Sequence, residues 1–215
     1  MSSKYHIGNK GFTVIELLVA TAVFGTVLLV ATLGIVQLSR VYYKGITERN
    51  TQNAARTIVD LIAQGIQFNG GTVTTTPASP TAGTSYAFCV GNQQYSYTVG
   101  YQVSDDGYVP AQFKTPHALV VRDLAGCTSS SPVQTVINTG VSGRELIPKK
   151  MRLATMQVTS IGTDVYRISV KVVYGDSDLL TNPNTSNAKC QAAARNGTQF
   201  CAVSDLTTVV TKRVE

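Results

Sequence analysis

The sequence contains no tryptophan, two histidines (His6 and His117) and four cysteines, none of them in a Cys-x-x-Cys pair. So few soft ligands, so spaced, leave little from which to build a zinc site. His117 has no Ser, Cys or Asp around it in a catalytic pattern, so nothing argues for an enzyme, and neither a cofactor nor a metal is expected. Charge is scarce too. Charged residues make up 14% of the chain, 18 basic against 12 acidic, for a net +6. An excess this small and scattered fits a solvated surface and does not point to nucleic acid. From Leu17 to Leu38 charge is missing altogether, and no proline occurs before Pro77.

That charge-free run is long enough to cross a bilayer, which takes ~20 residues. It begins directly after one carboxylate, Glu16, in the stretch GNKGFTVIELLVATAVF. Carboxylates at membrane depth are rare and usually have a partner. An ordinary cleaved signal would use Ala20-Thr21-Ala22 as its cut site, but Glu16 would then interrupt the apolar stretch, which also runs far past the cut. A plain membrane anchor fits the length and leaves Glu16 unexplained.

A third reading accounts for the whole pattern. A short basic leader with Lys4 and Lys10 ends at Gly11, and Phe12-Thr13-Val14-Ile15-Glu16 leads into the apolar helix. This resembles the class III signal of type IV pilins and type II secretion pseudopilins. The resemblance implies cleavage between Gly11 and Phe12 by prepilin peptidase, and N-methylation of Phe12. It also implies an assembly role for Glu16, whose carboxylate would meet the terminal amine of a neighbouring subunit and set its axial register. Removal of the leader would take Lys4 and Lys10 away, and a net +4 (16 − 12) would remain. Many major pilins carry a mid-helix proline. Here Thr32-Leu33-Gly34-Ile35 occupies that region, which leans toward a minor pilin or pseudopilin. Basic residues flank both ends of the apolar run (Lys4 and Lys10, then Arg40 and Lys44), so the N-in orientation rests on the leader.

Beyond the membrane segment, residues 40–68 contain no proline, and Ile58, Leu61, Ile62, Gly65 and Ile66 recur at helical steps. Arg56 and Asp60, four apart, are expected to pair weakly. Asn69-Gly70-Gly71 stops the helix. Strands are expected over Thr84–Val90, Tyr95–Val103, Ala118–Arg122, Thr135–Asn138, Met151–Ile161, Asp164–Tyr174 and Ser204–Val214. The clearest is Asp164–Tyr174, where apolar residues alternate with Arg167, Ser169 and Lys171. An even cysteine count beyond a membrane segment reads as two disulfides in an exported domain. Of the three connectivities, Cys190–Cys201 is favoured because it closes a short loop, which leaves Cys89–Cys127.

The fold class is therefore α+β: a long N-terminal helix, half of it transmembrane, packed on an antiparallel sheet in a type IV pilin-like arrangement. Its parts are a leader (1–11), a membrane or filament-core helix (12–39), an amphipathic continuation (40–68) and a β-rich exported domain (69–215). The function expected is a structural subunit of a pilus-like filament. Its partners would be other pilin subunits through the N-terminal helix, prepilin peptidase and the assembly platform. It would be a single-pass protein of the inner membrane before assembly, then part of a periplasmic or extracellular filament of a bacterium. Pilus, secretion and competence machinery are not distinguished by the sequence. The alternative is an anchored binding module for DNA uptake or surface adhesion, acting through residues 69–215. For DNA the candidates are Lys149-Lys150-x-Arg152 and Lys212-Arg213, which lack interleaved aromatics and read as solvated faces. Asp105-Asp106-Gly107 and Gly175-Asp176-Ser177-Asp178 fall short of a calcium loop and read as solvated turns. Asn184-Thr185-Ser186 and Asn196-Gly197-Thr198 fit the glycosylation pattern by chance.

Overall fold

A computed structural model describes residues 11–104, 117–127, 129, 132–133, 143–191 and 197–214. The expected strand Thr135–Asn138, the leader lysines, Asn196 and the Asp105-Asp106-Gly107 turn lie outside the described residues. Among the described residues one α-helix, α1 (Val14–Phe68), is followed by nine strands. The chain divides into two compact units, 1–42 and 43–215, so the second half of α1 belongs with the strands.

In the first unit the large apolar side chains of α1 are exposed on every side, among them Leu17, Phe24, Leu29, Leu33 and Leu38. The polar groups in this stretch are satisfied locally. Thr21, Thr26, Thr32 and Ser39 each donate a hydroxyl hydrogen to a backbone carbonyl three or four residues back. A hydroxyl bonded in this way needs no water, which suits a helix placed in hydrocarbon. Length and composition alone make α1 the one helix among the described residues apolar enough to span a bilayer.

In the second unit α1 becomes one-sided. Ala54, Ala55, Ile58, Val59, Ile62 and Ile66 are buried against residues from two antiparallel sheets. The first sheet holds β1 (Ser85–Val90), β2 (Gln93–Thr98), β3 (Leu119–Asp123) and β4 (Arg144–Glu145), in that order. The second holds β5 (Met151–Gly162), β6 (Val165–Tyr174) and β9 (Ala202–Thr211), with β6 in the middle. A two-residue ladder joins β7 (Leu180–Thr181) to β8 (Lys189–Cys190). The helix ends as its sequence demands: Asn69 N still donates to Gly65 O, and Gly70 then turns left-handed at φ 63°. At the start of this unit Lys44 Nζ donates to Cys201 O at 2.6 Å, and Tyr43 lies against Phe200.

Two local expectations need correction. The strand expected over Tyr95–Val103 stops at Thr98, because Gly100 takes φ 84° and lies close against Asn184. Arg56 and Asp60 form no ion pair; the pair that closes along α1 is Lys44–Glu48, at 3.2 Å. In β5 the core positions switch from Met151 and Leu153 to Met156 and Val158, and the ladder with β6 shifts register between Leu153 and Thr155. That switch of parity is the mark of a β-bulge.

The core is aromatic where the helix meets β1 and β2. Phe88 stacks on Tyr95 with ring centroids 4.9 Å apart, and Tyr97 is edge-on to Phe88. Burial pushes the phenols of Tyr95 and Tyr97 well above the ordinary tyrosine range. Below that range both folded and unfolded chains keep the proton, so these groups add no pH dependence. Above about pH 10 the unfolded chain ionises while the fold holds the proton, so stability falls as pH rises. Thermal unfolding followed by circular dichroism from pH 8 to 12 is expected to be flat to about pH 10 and then drop, and Tyr95→Phe is expected to make the drop shallower.

Candidate functional site

The start of α1 is built from Gly11, Phe12, Thr13 and Glu16. Residues 11–13 are outside the helix, so the peptide bond between Gly11 and Phe12 lies in non-helical backbone. Thr13 and Glu16 close a reciprocal pair. Glu16 Oε2 accepts from Thr13 N at 2.9 Å and from Thr13 Oγ1 at 2.9 Å, and Thr13 Oγ1 accepts from Glu16 N at 3.3 Å. This is a capping box, in which a hydroxyl and a carboxylate three residues apart satisfy amides that the first turn leaves without partners. Its sequence signal, Thr-x-x-Glu before an apolar run, is present but is overshadowed by the demand of a membrane-depth carboxylate for a partner outside the helix. Phe12, Ile15, Glu16, Val19 and Ala20 line one open groove here, so the carboxylate sits beside an apolar strip.

Residues 8–32, which include this box, match the family model of the prokaryotic N-terminal methylation motif. The chain therefore carries a class III signal. The match covers the motif and the first part of α1, and it supports a type IV pilin-like precursor. A signal of this class implies processing by prepilin peptidase, assembly with other pilins and membrane anchoring beforehand. No curated protein and no solved structure matches the chain.

Thr13→Val tests the box itself. It removes the hydroxyl that bonds Glu16 in both directions and keeps the side-chain size. Loss of a capping residue costs about 0.5–2 kcal/mol. Hydrogen exchange at the Glu16 amide, which the Thr13 hydroxyl holds, is expected in detergent to speed up by about two- to thirtyfold over wild type.

The other expected site residues fall elsewhere. Disulfides join Cys89 to Cys127 and Cys190 to Cys201. His117 is buried, with Nδ1 3.5 Å from Glu145 Oε2, and the Glu145 carboxylate accepts from the backbone N–H groups of Ala118, Leu119 and Ile147. Glu145 thus ties β3 to the end of β4. The basic cluster Lys149-Lys150-x-Arg152 is not one solvated face, because Arg152 is 1% exposed. Its guanidinium donates to Gln102 Oε1 at 2.9 Å, to Gly175 O at 3.1 Å, and more weakly to Ser177 Oγ and Asn184 Oδ1. Burial lowers its pKa, and the nearby Asp176 carboxylate opposes that shift. Asp176 also accepts from Gln102 Nε2, so the Gly175–Asp178 turn is part of this network. The bulge in β5 turns Arg152 away from the main core and under the 175–191 loop, which no local pattern in the sequence announces.

Proposed function

We propose that the protein is a minor pilin or pseudopilin, a structural subunit processed by prepilin peptidase and assembled through α1 into a pilus-like filament. The observation that carries this reading is the methylation motif over residues 8–32, placed at the head of a helix whose exposed apolar sides have no cover among the described residues. In this reading the peptidase cuts between Gly11 and Phe12 and methylates the new Phe12 amine. Glu16 has two functions. One carboxylate oxygen caps its own helix, and the charge of the group meets the amine of a neighbouring subunit in a low-dielectric core. Unpaired charges there are costly, which makes the pairing selective for one axial register. The helix is N-in across the inner membrane until assembly, and the β-rich unit is exported, consistent with its two disulfides. The chain performs no catalysis. Its lack of a helix proline favours a minor role, such as priming or capping assembly.

Fractionation tests the reading. Cells with prepilin peptidase are expected to place the chain in sheared surface filaments or in a periplasmic filament fraction. Cells without it are expected to hold all of it in the membrane. The same distribution in both strains overturns the proposal.

A further inference from the structure

The two larger sheets treat their edges unequally. The outer side of β1 is occupied: Thr74 N donates to Cys89 O, Gly91 N donates to Thr72 O, and Val73 bridges Val90. The outer side of β5 is occupied too, by Gly100 N to Leu153 O, Val103 N to Met151 O and Thr76 N to Val158 O. β4, at the far end of its sheet, has only two residues. β9 differs: α1 meets the outer side only at its two flanks, through Lys44 Nζ on Cys201 O and Arg213 N on Gln67 O, and leaves residues 205–211 between them open. The strand pairs with β6 through ten consecutive residues with no bulge, and it contains no proline, lysine or arginine. Those are the devices by which edge strands usually avoid pairing.

The direction of its free backbone groups follows from two hydrogen bonds. Lys212 N donates to Asp164 O, continuing the β6 ladder, and Arg213 N points the other way, to Gln67 O. Even-numbered residues of β9 therefore face β6, and Asp205, Thr207, Val209 and Thr211 turn their N–H and C=O groups outward. Among the described residues no main-chain group pairs with these four. Their side chains are also exposed, Val209 to 54%.

We propose that β9 is a homotypic docking edge, paired antiparallel with β9 of a second copy of this chain about a two-fold axis at Thr208. The charge pattern selects this occupant and this direction. The strand has its one acid, Asp205, near its start, and its bases, Lys212 and Arg213, just beyond its end. Antiparallel self-pairing sets Asp205 opposite Thr211 and diagonal to Arg213 of the second copy, whereas parallel pairing sets like charges together. The same register places Thr207 opposite Val209 on the exposed face and Leu206 opposite Val210 on the inner face. All four outward residues then meet outward residues of the other strand, so the ladder closes on both sides. A two-fold pair is closed and does not propagate, so this contact is separate from any filament contact made by α1, and it does not depend on that reading.

The test uses the full chain in detergent with micelles in excess, native disulfides intact, under mild oxidation. Thr208→Cys puts two thiols on the axis, where facing Cα atoms of a non-hydrogen-bonded pair are ~4.5 Å apart, within disulfide reach. Most of this variant is expected to convert to a covalent dimer. Arg167→Cys, exposed on β6 and away from the edge, is expected to remain monomeric. Adding Thr207→Pro to Thr208→Cys removes an outward N–H and no main-chain bond to β6, only the exposed hydroxyl contact of Thr207 with Ser169, and it is expected to cut cross-linking at least tenfold; Thr207→Lys, which loses the same hydroxyl but keeps the N–H, gives an independent block if the proline disturbs the strand. A monomeric Thr208→Cys chain overturns the proposal. So does cross-linking no greater than that of Arg167→Cys, or cross-linking untouched by both blocking substitutions.

Discussion

Replacing Glu16 with alanine is expected to lower incorporation into filaments by a hundredfold or more, with the chain still retained in the membrane. The magnitude follows from leaving the amine of a neighbouring Phe12 without its counter-charge in a low-dielectric core. Breaking one side of a buried ion pair costs about 3–5 kcal/mol, and each 1.4 kcal/mol is about a factor of ten. The capping box gives Glu16 a second role, so alanine alone does not separate the two. Glu16→Gln does. Glutamine still reaches back to the Thr13 amide as a box partner but carries no charge. If charge sets the register, Glu16→Gln fails almost as completely as alanine, and Thr13→Val, which spoils only the cap, assembles within a fewfold of wild type. If the cap is what matters, Glu16→Gln is close to wild type and Thr13→Val is impaired. Quantifying the chain in sheared filaments against the membrane pool for these three variants reads the result directly.

The second large effect is expected at Arg152. Its guanidinium ties the segment after β2, through Gln102, to the segment after β6, through Gly175, Ser177 and Asn184. Nε has no partner among the described residues, so the side chain is held by its two terminal nitrogens. Arg152→Met keeps much of the apolar stem and removes every donor. Acceptors that lose their donor in a buried site cost about 1–3 kcal/mol each, so a loss on the order of 3 kcal/mol or more is expected. Lysine is a poor substitute, because one ammonium cannot span the fork of acceptors that the guanidinium meets. The loss is expected to be local first. Limited proteolysis of Arg152→Met is expected to cut within residues 175–191 at protease levels that leave wild type intact, while the Cys190–Cys201 disulfide holds the distal end of the loop to β9.

Most of the helix was legible because its signals are local. A charge-free run, no proline, an apolar stripe from Ile58 to Ile66 and the Asn69-Gly70-Gly71 stop all lie within a few residues of the backbone they control. The β6 strand was legible for the same reason, since period-two alternation is a property of one segment. What was not legible depends on distant residues. Division of the strands into two sheets is set by which edges meet, and α1 from Tyr43 onward joins the strand unit because those strands cover it. Arg152 looks solvated in the sequence because burial of an arginine depends on acceptors up to 50 residues away and on a bulge that reverses its face. The capping box differs, because its signal is local: Thr13 and Glu16 stand three apart, but a carboxylate beside a membrane helix points first to intermolecular partners.

Processing as a pilin is decided by the N-terminal residue and intact mass of the protein recovered from cells with and without prepilin peptidase. A chain beginning at N-methylated Phe12 is expected in the first strain and one retaining its leader in the second. A chain beginning at Met1 in both strains, or at Val23 after cleavage behind Ala22, overturns the pilin reading.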